Sequence, residues 1–465
     1  MKTTEKDNKS TILILTSLLI VVSGMWLLQA GVMDRNVSPG FFTFEGVFYS
    51  GSVFFYVHPN ALAAFFFMFI FVLSHVFIRL RLPDADPFLL PVVAILTGLG
   101  LIVMLRLSPD LAVARDEAIR FIINRMPDAH VAKSVDNFAQ LGWRHLISIV
   151  LGVLVMIGSA LIFTHRTISW LSSKKYLWVF CSVILVSATL QFGTLINGRR
   201  LWLFGFQTVE LVKFFMILFM AGYIYEKGKG IAFFMQGSFR SWVSYSGPFI
   251  AMCFLILVPL YIQKDLGPTV LLFLTAITML YFAGTRYVVT LFFVLLIICS
   301  ASLFYETGYP PVVRERFDAF FDPFHNNEAM SRVLWAVSQG AIYGTGIGYG
   351  QPHRIPVVQS DFNFVAICEE MGFAGGLAVL LLFLLLIQRC FVITRREENL
   401  YKKTLVVGIA AMIALQMLII VCGNVGMIPL TGITLPFMSY GGSSMLVNFF
   451  MAGILLKISG GHRRE

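Results

Sequence analysis

Long apolar runs separated by short polar connections dominate the chain. Crossing the hydrocarbon core of a bilayer takes about 20 predominantly apolar residues. Twelve stretches meet that requirement, at roughly 11–31, 57–80, 88–107, 145–164, 175–195, 206–225, 243–263, 267–284, 287–306, 362–388, 404–423 and 438–458. The pattern predicts an all-α polytopic membrane protein of about 12 transmembrane helices. Lys2, Lys6 and Lys9 precede the first run, which is long and lacks a clear A-x-A cleavage site. It reads as a retained anchor helix and not as a cleaved signal peptide.

Composition sharpens this picture. Only 13% of the 465 residues are charged, where a soluble chain carries about 25%, and mean hydropathy is +0.81. A net charge of +10 would suggest nucleic acid in a soluble domain, but here it follows from topology. Arg79/Arg81, Arg166 with Lys174/Lys175, Lys227/Lys229/Arg240, Arg286, and Arg395/Arg396/Lys402/Lys403 fall on alternate connections, and Lys457, Arg463 and Arg464 join them near the C-terminus. The positive-inside rule places that set, and both termini, in the cytoplasm. The longer connections 107–144, 307–361 and 424–437 then lie outside. Within the first, "LAVARDEAIRFIINR" has the makings of an amphipathic surface helix.

Several function classes drop out. Six cysteines lie in or beside apolar stretches without a CxxC pair, and eight histidines show no HxxxH spacing, so neither a disulfide set nor a zinc centre is expected. No Walker loop or GxGxxG fingerprint follows a strand, which removes nucleotide use.

Ionisable groups inside spans are costly and mark functional positions by default. In "NGRRLWLFGFQTVELVK" (197–213), Glu210 and Lys213 stand at i, i+3 on one helix face and can neutralise each other. Arg199 and Arg200 are either interfacial arginines or a cationic mouth for a lipid phosphate, with Trp202 anchored at the interface. In "QKDLGPT" (263–269), Asp265 either caps the following helix or faces a polar cavity. The long loop carries Glu315, Asp318, Asp322 and Glu328 among Arg314, Arg316 and Arg332, then glycines at 340, 344, 346, 348 and 350. Loops beyond about 15 residues are usually functional or disordered, and aromatic content argues against disorder. In "SDFNFVAICEEMGFAGG" (360–376), Asp361 can cap the next helix, while Glu369 and Glu370 lie deeper and need partners such as Lys213 or an outer arginine. Carboxylates and arginines on the outer face, without a nucleotide site, fit transfer from a pre-activated lipid-linked substrate. They also fit transport of an anionic lipid.

The segment "IPLTGITLPFMSYGGSS" resembles the terminal signature of the SEDS (shape, elongation, division and sporulation) family, the RodA/FtsW proteins. "NGRRLW…FQTVELVK", "QKDLGPT" and "SDFNFVAICEEMGF" are similar to further family segments in the same order. The resemblance covers roughly 83–465, a ten-helix core that includes the loop 307–361, and leaves 1–82 as an extra N-terminal helix pair of the RodA type.

It implies a peptidoglycan glycosyltransferase that polymerises lipid II, an undecaprenyl-pyrophosphate-linked precursor, at the outer face of the bacterial cytoplasmic membrane. The implied partner is a class B penicillin-binding protein. An inverting reaction needs a carboxylate base for the acceptor hydroxyl and cationic groups, or a divalent cation (Mg or Mn), at the leaving phosphates. A lipid-linked precursor flippase and a catalytically inactive scaffold for the penicillin-binding protein are the competing readings.

The family pattern for the catalytic aspartate is close to "DPxxDPxGxGY", whereas this chain has "DPFHNNEAM". An ungapped register makes Asp322 the base; the other places Asn326 there. Val357 stands where the family usually has an acid. The substrate-binding set expected alongside is Arg200, Trp202, Glu210, Lys213, Asp265, Asp361, Glu369, Ser443 and Ser444. Pro429, Gly432, Pro436, Gly441 and Gly442 would shape a re-entrant turn, with Ser443 or Ser444 capping the last helix. That helix start either meets the lipid pyrophosphate or simply ends a turn.

Overall fold

A computed structural model describes residues 2–34, 59–125, 138, 140–196, 199–232, 239–285, 287–308 and 311–461. The described helices, in chain order, are α1 (Lys2–Asp34), α2 (Pro59–Arg81), α3 (Leu89–Arg125), α4 (Leu141–Ile162), α5 (His165–Ser173), α6 (Lys175–Phe192), α7 (Val209–Ala232), α8 (Phe239–Ile262), α9 (Leu266–Phe282) and α10 (Tyr287–Thr307). They continue as α11 (Pro311–Phe321), α12 (Pro323–Asn326), α13 (Glu328–Gly340), α14 (Asn363–Arg396), α15 (Leu400–Asn424) and α16 (Gly442–Ser459).

Among the described residues, ten helices are long and apolar enough to cross a membrane. The apolar segments Gly247–Ile262 and Leu266–Phe282 are shorter. Together they account for the twelve apolar runs. All six cysteines are free.

The bundle is not purely helical. Between α6 and α7 the chain forms a three-stranded antiparallel sheet, β1 (Thr194–Ile196), β2 (Arg199–Leu203) and β3 (Phe206–Gln207), in the order β1-β2-β3. Phe204 and Gly205, at the β2–β3 turn, both have positive φ (51° and 77°), as a two-residue type I′ hairpin requires. The span expected from residue 206 therefore starts only at Val209. A second difference is at "LAVARDEAIRFIINR", which prolongs α3 as far as Arg125 instead of forming a separate surface helix. Pro109 lies within this continuous helix, because membrane helices accommodate an internal proline when neighbours satisfy the freed carbonyl; α8 likewise contains Pro248 and Pro259.

Close packing of small residues holds the helices together. On the seam between α4 and α16, a Cβ at Gly453 would lie 2.0 Å from Ser159 Oγ and 2.2 Å from the Met156 carbonyl. Ser159 Oγ also donates to the Phe450 carbonyl across the seam (3.1 Å). The N-terminal pair packs on this core, α1 against α3 and α2 against α4, with Arg79 Nη1 donating to Thr11 Oγ1 (2.9 Å) to join α1 and α2. α14 is two helices fused at a kink, where Gly372 has φ 67°.

Candidate active site

At the end of the bundle that carries the long loop, five separate segments, among them α12–α13 with Pro323 and Met330, enclose a cavity of about 370 Å³. β2 contributes Arg199, α11 contributes Glu315 and Arg316, the connection before α14 contributes Val357 and Asp361, and the segment before α16 contributes Gly432. Arg316 Nη1 donates to the Thr431 carbonyl (3.1 Å). Gly432 takes φ +68°, and a Cβ there would sit 3.5 Å from Asp361 Oδ2 and 3.7 Å from Arg316 Nη2. This left-handed backbone, natural to glycine, brings the main chain between the aspartate and the arginine. On the neighbouring side Gly267 permits α9 to pack against the same strand, with a Cβ there only 2.6 Å from the Thr431 carbonyl.

Asp265, buried behind this wall, is not the side-chain cap that its position suggests. It stands at the N-cap of α9 but makes no capping bond, because Lys264 turns the backbone at φ 60° and Asp265 Oδ2 is left without a hydrogen-bond partner. Burial pushes its carboxyl up to about 6, against the opposing pull of Arg316 and Arg199. Asp361 does not cap α14 either: the N-cap is Phe362. Burial also raises the Asp361 carboxyl, opposed by a Ser360 hydrogen bond and by Arg316. The Arg316 guanidinium is lowered by burial and by the like charge of Arg199. Arg199, Arg316 and Asp361 thus line one enclosure, with Asp265 buried behind it and coupled electrostatically to both arginines, and shifted groups of this kind cluster at functional sites.

From this enclosure a polar chain runs into the bundle. Glu210 Oε2 and Lys213 Nζ pair at 2.7 Å, both almost fully buried, as the i, i+3 spacing requires. Lys213 donates to Gln416 Oε1 (3.3 Å), and Gln416 Nε2 to the Thr434 carbonyl (2.5 Å). Thr434 Oγ1 donates to Ser444 Oγ (3.0 Å), which also accepts from Asn448 Nδ2 (3.2 Å). The cap of α16 is Gly441, without a side-chain bond. Ser443 and Ser444 sit one step inside the helix, and the Ser443 hydroxyl accepts the Gln207 backbone N–H (2.9 Å). Both serines therefore tie the terminal segment to its neighbours and do not cap the helix.

Other expected site residues lie elsewhere. Arg200 is exposed and donates to the carbonyls of Leu190 (3.3 Å) and Gln191 (2.6 Å) at the C-terminal end of α6; this is helix capping. Trp202 pairs with Thr194 and Gln207 in the sheet and does not line the cavity. Asp322 stands at the cavity rim, next to the lining residue Pro323, and accepts from His325 N (3.3 Å) while contacting His325 Nδ1 (2.9 Å). That contact holds its carboxyl below the ordinary range. Asn326 ends the same short helix, α12.

Glu369 and Glu370 belong to a second cluster, and of the two expected kinds of partner it is not Lys213 but an outer arginine that pairs with Glu370: Arg106 of α3, at the outer end of the run 88–107. Arg106 Nε donates to Glu370 Oε1 (2.9 Å) and Nη2 to the Gly350 carbonyl (3.1 Å), while Nη1 pairs with Asp110. Glu369 Oε1 accepts from Gln351 N (2.6 Å), and Glu370 Oε2 from Gly348 N (3.2 Å). The glycine-rich segment is thus clamped to the kink of α14. Arg106, Gln416 and Asn448 are further polar members that motif and spacing did not single out; each is a polar residue within an apolar run, which is the signal that marks such positions.

Among the described residues no three His, Cys, Asp or Glu side chains are placed to hold an ion, and the cavity acids are interleaved with Arg199 and Arg316.

Comparison with known proteins gives a consistent result. The chain is 30% identical over 414 residues to a peptidoglycan glycosyltransferase RodA of Mycobacterium tuberculosis, covering 86% of this chain and 83% of that protein. It is 34% identical over 302 residues to the stage V sporulation protein E of Bacillus subtilis, covering 63% and 80%. Its fold matches a chain solved in work on the coordination of polymerization and crosslinking by a peptidoglycan synthase complex, with a TM-score of 0.61 at 23% identity, covering 82% of this chain and 99% of that one. Residues 87–464, everything from just before α3 onward, match the cell cycle protein family that takes its name from FtsW, RodA and SpoVE, and the chain belongs to that family.

Proposed function

We propose that the protein is a peptidoglycan glycosyltransferase that polymerises lipid II at the outer face of the bacterial cytoplasmic membrane, with both termini in the cytoplasm and a class B penicillin-binding protein as partner. The observation that carries this reading is the cavity lined by Arg199, Arg316, Glu315 and Asp361, with buried Asp265 behind its wall, at the membrane end opposite the basic connections. Two guanidiniums in one enclosure suit a pyrophosphate leaving group, since each can bind phosphate oxygens bidentately. The RodA relative, named a peptidoglycan glycosyltransferase, supports the sugar-transfer chemistry, and the synthase-complex neighbour supports the partner.

In this reading the acceptor sugar's 4-hydroxyl attacks the anomeric carbon of the donor. The C–O bond to the lipid pyrophosphate breaks, configuration inverts, and Arg199 and Arg316 take up the departing charge. Asp322, a carboxylate at neutral pH next to the lining residue Pro323, accepts the hydroxyl proton. The Lys213–Glu210 pair and the Gln416–Thr434–Ser444 chain hold the terminal segment in register. No step is assigned to a metal ion.

The test is lipid II polymerisation by the purified protein with its class B synthase, comparing wild type, Asp322→Ala and Asn326→Asp. Loss of product in Asp322→Ala alone supports Asp322 as base. A silent wild type that becomes active as Asn326→Asp would replace the enzyme reading by the scaffold reading.

A further inference from the structure

At the opposite end of the bundle lies a second cavity, of about 320 Å³, that the proposed reaction does not use. Arg81, Lys402 and Lys457 line it together with Asp84; Leu82, Phe163 and Ile168 form an apolar wall. Each base comes from a different helix end: Arg81 from the last turn of α2, Lys402 from the first turn of α15, Lys457 from the last turn of α16. Among the described residues Arg81 and Lys457 make no ion pair, and Lys402 has only Glu397 at 3.8 Å.

The frame around the cavity is rigid. Arg389 Nε lies 3.1 and 3.0 Å from the two oxygens of buried Asp86, and Asp86 N donates to Ser459 Oγ (3.0 Å). The Asn399 side chain accepts from Tyr401 N and Lys402 N (3.0 and 3.2 Å), fixing the start of α15 beside the cavity. Three cations against one lining carboxylate, Asp84, leave the cavity net positive and suited to an anion.

The surroundings state what kind of anion. Helix α5, which supplies Ile168, is short and amphipathic, and it leaves Trp170 49% exposed and edge-on to Trp178 at 6.0 Å. Exposed tryptophans beside apolar spans mark the headgroup level of a bilayer, so the cavity opens where lipid phosphates lie. Basic pockets between transmembrane helices on the cytoplasmic side take up anionic headgroups.

We propose that this cavity binds the phosphate headgroup of an anionic phospholipid from the leaflet on the basic side. Arg81, Lys402 and Lys457 contact the phosphate, and Leu82, Phe163 and Ile168 contact the start of the acyl chains. The bound lipid links the N-terminal pair, through Arg81, to α15 and α16 of the family core.

The test uses the purified full chain in detergent, with phosphatidylglycerol and phosphatidylcholine competing in equal amounts and bound lipid read by native mass spectrometry. Each basic side chain near an anionic headgroup contributes about fivefold, so wild type should favour phosphatidylglycerol about a hundredfold. The triple variant Arg81→Gln/Lys402→Gln/Lys457→Gln should lose that preference. The pair Arg395→Gln/Lys174→Gln, exposed on the same face but outside the lining, should keep it. If the triple variant does not fold, Lys457→Gln alone carries the test, with an expected loss of about fivefold. Equal retention of the two lipids by wild type, or an undiminished preference in the variants that alter the lining, overturns the proposal. So does full displacement of phosphatidylglycerol by inorganic phosphate, which would make this a site for a free phosphate.

Discussion

Removing the Arg106 side chain tests whether the second cluster is a structural clamp. Arg106 is 3% exposed and its partner Glu370 6%, so Arg106→Met strands a carboxylate where water does not reach it. Breaking a buried pair from one side typically costs about 3–5 kcal/mol. Asp110 loses the same partner but is more exposed (22% for its side chain) and adds little. Replacing both members by apolar groups of similar size removes the stranded charge, and such exchanges are often close to neutral. The double variant Arg106→Met/Glu370→Met should therefore be more stable than Arg106→Met alone, by about 2 kcal/mol or more. Unfolding midpoints in detergent for the four members of the cycle give the coupling. Limited proteolysis at 344–351 gives an independent readout, because the clamp holds Gly348 N and the Gly350 carbonyl. Additive losses, with the double variant the least stable of the four, would refute the reasoning.

Other expectations follow from individual contacts. Asp265 carries a carboxyl raised from 3.8 to about 6 by burial, so the native state holds its proton more tightly than the unfolded chain. Its contribution to stability is therefore greatest below pH 4 and is lost as pH rises through 6. Asp265→Asn should remove that slope and raise stability at pH 7.5 by up to about 3 kcal/mol, since each tenfold difference in proton affinity between the folded and unfolded chain is worth about 1.4 kcal/mol. A pH-dependent midpoint unchanged by the substitution would contradict this. Gly372→Ala places a Cβ 2.4 Å from Gly344 N and the Ile342 carbonyl at positive φ, and should cost about 3 kcal/mol or more, seen as loss of folded protein after extraction. Arg316→Gln removes a charged donor from the cavity and should raise the KM for lipid II about tenfold or more, the equivalent of one charge-assisted hydrogen bond. Unaltered polymerisation kinetics would remove Arg316 from the site.

The sequence drew attention to polar residues whose contacts in the fold differ in several cases from those expected. Glu210 and Lys213 could be paired from spacing alone, because i, i+3 neighbours on one helix must meet, and they do at 2.7 Å. Asp265, Asp361, Ser443 and Ser444 looked like caps because cap residues are recognised by type and position. None of the four makes a capping side-chain bond, since Asp265 lacks the extended backbone of a cap, Asp361 lies one residue before the N-cap and the two serines lie inside the helix. Arg200 looked like a ligand-binding cation, but it is taken up by the carbonyls ending α6. Arg106 stood unremarked in an apolar run although its charge alone was reason to ask for a partner.

By itself the sequence determined the membrane character and the apolar runs, because burial in lipid demands unbroken stretches of a length set by the bilayer. It also determined the family, through four ordered motifs. Only the tertiary structure decided that Arg199, Arg316 and Asp361 line one cavity, with Asp265 buried behind it, while Glu369 and Glu370 serve another cluster. These residues come from helices far apart in the chain. Which of them meet depends on how the helices pack and where glycines such as Gly432 and Gly372 turn the backbone, and local composition does not encode that geometry.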